Sequence, residues 1–175
     1  MPKIIENARE QIIEEARSQL FSNGYAGTTI RSVATACGIG IGTVYNYFPS
    51  KDLLFSAFML EDWRTAISEI RNLDPNDFST FFTGINKALC TFIKKYEFLF
   101  RDKEASATFA SVFSERHIQL RNQIAGIIAP TCATRAKEYK EPDYLANYIA
   151  ESILLWAMSG TGIEDQLTTL RILLS

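Results

Sequence analysis

Apolar residues near the start of the chain recur with the spacing of a helix. Between Ile5 and Leu20 they occupy every third or fourth position, and acidic side chains fall on another stripe. This alternation is typical of an amphipathic helix that covers a core with one face. Gly24 suits the residue that closes a helix, because glycine adopts the left-handed conformation at little cost. The pattern therefore predicts a first helix that ends at Asn23-Gly24.

Two shorter helices are predicted next, separated by a turn at Gly38. The hydroxyls of Thr28-Thr29 are suited to cap the second helix, and Gly38 allows a sharp reversal after it. The third helix has apolar side chains at Val44 and Phe48, four positions apart, and ends before Pro49. Three short helices with a glycine turn match a helix-turn-helix, whose recognition helix lies in the DNA major groove. The inward face of the second helix would consist of Ile30, Val33, Ala34 and Cys37.

The rest of the chain also has helical patterning. Ser50 is placed to cap a fourth helix, which ends before Pro75. No segment alternates like a strand, so we expect an all-α fold of about nine helices. The apolar positions of the fourth helix are Leu53, Leu54, Ala57, Phe58, Trp63, Ile67 and Ile70. Further helices are predicted at residues 78–100, 104–114, 115–139 with a kink or break at Pro130, 143–159 and 162–174.

The positions of the charged residues along the chain favour a DNA partner more than the net charge does. A formal net charge of −2 over 175 residues argues at first against nucleic-acid binding. However, no Asp or Glu occurs between Ala16 and Lys51, whereas Arg17 and Arg31 do. The predicted helix-turn-helix therefore lies in a locally positive segment of an acidic protein.

An enzyme is the main alternative class, but the parts for catalysis are few. The chain has one histidine, His117, and three widely separated cysteines, Cys37, Cys90 and Cys132. It has no glycine-rich phosphate loop, no paired cysteines and no serine in a nucleophile elbow. We therefore expect no enzymatic activity, no metal and no cofactor. The unpaired thiols and the charged first twenty residues indicate a cytoplasmic protein without a membrane segment.

Four segments in this order strongly resemble the N-terminal domain of TetR-family (TetR/AcrR) repressors. They are Thr28–Ala34, Cys37–Ile39, Gly42–Phe48 and Lys51–Leu54. The resemblance implies a helix-turn-helix DNA-binding domain over residues 1–49 and a helical effector-binding and dimerisation domain over residues 50–175. It further implies a transcriptional repressor that binds a palindromic operator in double-stranded DNA as a homodimer.

The resemblance also implies the residues that contact DNA, mostly at phosphates, with Thr43 and Tyr45 nearest to the base edges. Two positions depart from the family pattern. Gly40 stands where Ser or Thr is usual just before the recognition helix, and the next residue is the apolar Ile41. A hydroxyl contact is therefore missing, and Ile41 offers an apolar contact to a thymine methyl instead. Asn46 either pairs with an adenine or points sideways into water. The implied contacts are Thr29, Gly42, Thr43, Tyr45, Tyr47 and Lys51.

Aromatic residues are concentrated in the second domain. Ten of the twelve phenylalanines follow residue 50, and a helical domain of this kind is able to enclose an apolar cavity. Ordinary core packing is the alternative, in which case the protein would bind DNA without a ligand. The resemblance favours a small, largely apolar effector that releases the repressor from DNA by moving the fourth helix. The implied ligand-binding residues are Phe58, Phe81, Phe82, Ile85, Phe92, Phe109, Phe113 and Trp156.

The last two predicted helices have apolar residues beyond those that one core would need. The helix at 143–159 is apolar on more than one face, and the helix at 162–174 has a single clean stripe. In TetR-like proteins, two such helices from each subunit form a four-helix dimer interface. A dimer would place two recognition helices about 34–36 Å apart, in successive major grooves.

Overall fold

The computed structural model describes residues 7–141 and 143–175, without the side chains of residues 100, 104 and 106–116. All regular structure in this part of the chain is helical, which confirms the all-α prediction. None of its helices has the length and apolar character needed to cross a membrane. The eight helices are α1 (Ala8–Gly27), α2 (Ile30–Ala36), α3 (Ile41–Tyr47), α4 (Lys51–Arg71), α5 (Phe78–Arg101), α6 (Lys103–Ala136), α7 (Tyr144–Ser159) and α8 (Ile163–Leu174).

The described helices number eight because α6 is one long helix. We predicted two helices, at 104–114 and 115–139, with a kink or break at Pro130. The structure instead continues α6 through Pro130 to Ala136. Proline removes one N–H from the helical ladder, and this loss does not end the helix here. The Asp102 carboxylate begins α6 by accepting a hydrogen bond from the Ala105 amide at 2.9 Å.

Helix α1 changes direction where the sequence placed its end. Gly24 has φ 73° and ψ 179°, a conformation that only glycine adopts readily, and helical turns resume up to Gly27. Thr28 then closes this end, because its hydroxyl donates to the Gly24 carbonyl at 2.9 Å. The predicted stripe is buried along the described part of α1, while Ile5 lies outside the described residues. Its buried members are Ala8, Ile12, Ala16 and Leu20.

By packing, the described chain divides into two compact units. The first extends to Asp62 and includes Phe98–Ala110, and the second contains Trp63–Glu97 and Ser111–Ser175. Helix α4 therefore contributes residues to both units. The functional boundary after residue 49 stays a prediction.

The first turns of α4 have a different buried face from the predicted one. Leu53 is 48% exposed, whereas Phe55 is fully buried beside Leu54 and Phe58. The predicted apolar set was therefore wrong at Leu53 and lacked Phe55. Leu53 and Phe55 flank Leu54 on opposite sides of the helical stripe, and the choice between them depends on what packs against the helix.

The second unit has a continuous apolar core to which four helices after α4 contribute. Helix α5 buries Phe81, Ile85 and Leu89 at a spacing of four. One buried polar side chain joins two of the helices, because the Gln166 amide donates to Asn86 Oδ1 at 3.1 Å and to the Thr161 carbonyl at 2.7 Å. The other core residues include Ile124, Ile128, Leu145, Ile149, Ile153, Leu167 and Leu170.

Candidate nucleic-acid interface

Thr29 begins α2 with a reciprocal pair of hydrogen bonds. Its hydroxyl accepts from the Ser32 amide at 3.0 Å, and the Ser32 hydroxyl accepts from the Thr29 amide at 3.0 Å. This capping box satisfies two amides that the helix itself leaves without partners. The Thr29 side chain is exposed. A predicted DNA contact is therefore also the residue that begins the supporting helix.

The turn between α2 and α3 follows from the conformation of Gly38. Its φ of 65° is left-handed, its amide donates to the Thr35 carbonyl at 3.1 Å, and the Ile39 amide donates to the Ala34 carbonyl at 3.0 Å. These two bonds form a Schellman motif, which ends a helix and turns the chain. The turn predicted at Gly38 is therefore present with a specific hydrogen-bond pattern.

Helix α3 has the division of faces that a recognition helix requires. Val44 and Phe48 are buried, as predicted, and they attach the helix to the rest of the first unit. Tyr45 and Tyr47 are 48% and 46% exposed, and Thr43 is half-buried. Gly42 and Asn46 are also exposed, and a Cβ added at Gly42 would meet nothing within 4 Å. The outer face of α3 is thus open to a partner.

Lys51, at the start of α4, is held by the end of α1. Its ammonium donates to the Tyr25 carbonyl at 2.7 Å and lies 3.6 Å from the centre of the Tyr25 ring. The Tyr25 hydroxyl donates to Asp52 Oδ1 at 2.6 Å, and its buried ring meets Phe55 edge-on at 5.7 Å. Tyr25 thus fixes the position of the predicted DNA-contacting lysine. Sequence reasoning missed this role, since the only available indication was an aromatic residue directly after Gly24.

A second set of charged residues joins α1 to α4 farther along both helices. Arg17 Nη1 lies 2.6 Å from Asp62 Oδ1, and Arg17 Nη2 lies 3.5 Å from Glu61 Oε2. The same guanidinium stands over the Phe58 ring, 5.2 Å from its centre. Arg9 adds an ion pair of 3.8 Å to Glu61. These contacts hold the first three turns of α4 to the helix that supports the helix-turn-helix.

The cysteines lie in surroundings that keep their thiols protonated. Burial, with a smaller contribution from the charge of Glu15, raises the pKa of Cys37. Burial alone raises the pKa of Cys90, and it raises the pKa of Cys132 to about 11. In the part of the chain that the structure describes, no group of three or more His, Cys, Asp or Glu side chains could hold a metal ion.

The predicted effector-binding residues are distributed over both units. Phe58 lies in the first unit, with its ring 5.6 Å from that of Phe55. The other described members belong to the second unit, where Phe81 and Phe82 meet edge-on at 5.2 Å. Ile85 is buried beside them, and Phe92 and Trp156 are partly buried at the edge of the same core. The side chains of Phe109 and Phe113 lie outside the described residues.

Helix α7 leaves part of its apolar surface exposed. Leu155 and Met158 are 62% and 65% exposed, while Leu145, Ile149 and Ile153 of the same helix are buried. Tyr144 and Tyr148, earlier on the same helix, are also more than half exposed. Their rings stack with a centroid distance of 6.3 Å. On α8, Ile172 is exposed as well. The packed core of the second unit therefore covers only one side of α7.

The helix-turn-helix region matches a known family. Residues 12–58 match the model described as "Bacterial regulatory proteins, tetR family". The chain is 32% identical over 63 residues to the HTH-type transcriptional regulator UidR of Escherichia coli (strain K12), which is 36% of this chain and 32% of UidR. It is 38% identical over 56 residues to the HTH-type transcriptional repressor AcnR of Corynebacterium glutamicum, covering 32% of this chain and 30% of AcnR. These matches span about a third of the length of either relative.

Similarity to solved structures extends along nearly the whole chain. The structure of Thermus thermophilus FadR, a TetR-family transcriptional repressor in complex with lauroyl-CoA, has a TM-score of 0.61 and 21% sequence identity. The match covers 95% of this chain and 93% of that one. Residues 12–58 therefore match the tetR-family model, and the chain shares the fold of Thermus thermophilus FadR. UidR, AcnR and Thermus thermophilus FadR are all described as transcriptional regulators or repressors.

Proposed function

We propose that the chain is a transcriptional repressor that binds a palindromic operator as a homodimer and leaves it when a small, largely apolar effector binds. The observation that carries the DNA-binding part is the outer face of α3. Val44 and Phe48 attach this helix to the first unit, while Tyr45 and Tyr47 stay exposed. Because a recognition helix contacts base edges from the major groove, an open polar and aromatic face is what this role needs.

The proposed DNA contacts surround that face. Thr43 and Tyr45 would lie nearest to the bases, with Gly42 and Tyr47 at the phosphates. Thr29 and Lys51 would contact phosphates from the starts of α2 and α4. Contacts to phosphates position a protein on the duplex, whereas contacts to bases specify the sequence. The chain has no carboxylate side chain between residues 16 and 51, so no negative side chain within this segment repels the DNA phosphates.

The proposed dimer uses α7 and α8 of both copies. Support comes from Leu155 and Met158, which are more than half exposed on a helix whose other face is buried. Large exposed apolar side chains in one stripe are typical of an interface. A symmetric pair of chains would present the same stripe twice, as an isologous interface requires.

The proposed effector acts through helices of the second unit. Thermus thermophilus FadR, which shares the fold, is described in complex with lauroyl-CoA, whose lauroyl chain is apolar, and this supports an effector with an apolar part for the present chain. Helix α4 begins at Lys51, near the proposed DNA contacts, and ends in the second unit at Arg71. An effector that favours one arrangement of α4 would shift the population of chains away from the DNA-binding state.

A regulator without an effector is the second candidate function. The observation that favours it is the tight packing of three predicted ligand-binding residues, since Phe81, Phe82 and Ile85 are each at most 2% exposed. Release of the operator by an apolar compound would reject this alternative.

The decisive experiment for the proposed function is the selection of genomic DNA fragments by the purified chain. We expect enrichment of a few fragments that share a palindromic motif, whose neighbouring genes would indicate the effector. We also propose that the protein acts in the cytoplasm, where the DNA of a bacterial cell lies. If the recovered fragments share no motif, the chain is not a sequence-specific regulator.

A further inference from the structure

The first residue of α3 is an apolar side chain on the face proposed to contact DNA. Ile41 is 38% exposed, and it follows Gly40, which begins the helix without a side-chain hydrogen bond. Neither residue offers a polar side-chain atom to a base edge. A contact with DNA would remove the exposed part of this apolar side chain from water, and this would favour binding.

Helical geometry gives Ile41 one neighbour on the exposed surface. Residues four apart lie on the same face of a helix, so Ile41 and Tyr45 are adjacent. Both are exposed, beside the buried pair Val44 and Phe48. In helix-turn-helix proteins, the first residues of the recognition helix are the ones that contact base edges. Ile41 and Tyr45 together form an apolar strip at that end of α3.

The major groove contains one apolar group among its base edges, the 5-methyl group of thymine. Every other distinguishing group there is a hydrogen-bond donor or acceptor, for which an isoleucine has no partner atom. We propose that Ile41 determines part of the operator sequence by contacting a thymine methyl in each half-site. This inference rests on the proposed DNA-binding function and adds a base preference to it. Burial of one methyl group corresponds to about a fourfold change in affinity.

Replacement of thymine by uracil tests the contact, because uracil lacks only the methyl group. Operator duplexes are first selected from a random library with the wild-type chain. Each thymine in the half-site is then replaced by uracil, and the affinity is measured for the wild type and for Ile41→Ala. We expect one thymine per half-site at which uracil weakens wild-type binding about fourfold, an effect absent in Ile41→Ala. The loss of affinity caused by uracil and the loss caused by Ile41→Ala should therefore not add.

Leu53→Ala is the matched control, since Leu53 is an exposed apolar residue of the same unit outside α3. This variant should keep the full sensitivity to uracil. If the wild type is insensitive at every thymine, or if Ile41→Ala keeps the wild-type sensitivity, the inference is wrong while the proposed function stands. If no sequence is enriched from the library, the proposed function fails and the inference fails with it.

Discussion

The ammonium of Lys51 lies 2.7 Å from the carbonyl oxygen of Tyr25, so the first residue of α4 is bonded to the end of α1. The Tyr25 ring supports the same ammonium from 3.6 Å. A lysine on a surface loses much side-chain entropy when it is held in one position. Here the ordering is already present in the folded chain, and this favours a defined approach of Lys51 to the DNA backbone.

Lys51→Ala should weaken DNA binding by a similar factor for all sequences. A phosphate contact carries no base information, and its loss should reduce the slope of log affinity against log salt by about one. Titrations of specific and shuffled duplexes at several salt concentrations measure both quantities. Lys94→Ala makes the same charge change at an exposed position of the second unit and should leave the slope unchanged. An unchanged slope for Lys51→Ala would remove this residue from the proposed contacts.

Tyr25→Phe should destabilise the chain while keeping the aromatic ring. The variant removes only the hydroxyl that donates to Asp52 at 2.6 Å. Hydrogen bonds to charged groups contribute about 1.5–3 kcal/mol, so we expect a decrease of that order in the free energy of unfolding. Urea denaturation followed by circular dichroism measures it. Tyr45→Phe removes a hydroxyl from an exposed ring and should change the stability little; equal effects of the two variants would argue against the role of Tyr25.

Cys132 should react slowly with thiol reagents in the native state. Burial raises the pKa of its thiol from 9.0 to about 11, and the thiolate is the reactive form. The protonated thiol is favoured by folding, so this stabilisation is complete below pH 9 and is lost as the pH rises towards 11. A variant with Cys37 and Cys90 replaced by serine isolates the reaction. Labelling at pH 7.5 as fast as in the urea-unfolded chain would contradict the burial of Cys132.

Leu155→Arg combined with Met158→Arg should convert the proposed dimer into a monomer. Both side chains are more than half exposed on α7, and two charges would be costly to bury against a second copy. Sedimentation velocity gives the mass of the variant, and circular dichroism shows whether it keeps its helices. Ser68→Arg, at an exposed position of α4, should remain dimeric. A double variant that sediments as the wild type does would place the interface elsewhere.

The sequence was most informative where the structure depends on residues close together in the chain. Val44 and Phe48 are buried as predicted, because one helical turn separates them and fixes their common face. The turn at Gly38 was predictable for the same reason, because it depends on the conformation of one glycine. By contrast, Arg17 and Asp62 are 45 positions apart, and nothing in either segment identifies its partner. The link between α1 and α4 therefore became visible only from the fold.

The course of α6 and the buried face of α4 were also difficult to predict, because both depend on distant parts of the chain. Pro130 indicated a kink or break, yet α6 continues past it to Ala136. At Leu53 and Phe55 the pattern allowed two choices, and the structure buries Phe55. In both places the outcome depends on packing with distant parts of the chain, which periodicity does not contain. Packing of this kind also determines whether the aromatic residues of the second unit enclose an effector.

The mass of the complex formed on a selected operator duplex tests the central proposal most directly. Sedimentation velocity with a labelled duplex would give the number of chains bound per duplex. The account predicts two chains on one palindrome whose half-sites lie about 10–10.5 base pairs apart, or a multiple of that spacing. It also predicts a clear preference over a shuffled duplex of the same composition. Binding of a single chain, or equal binding to the shuffled duplex, would contradict it.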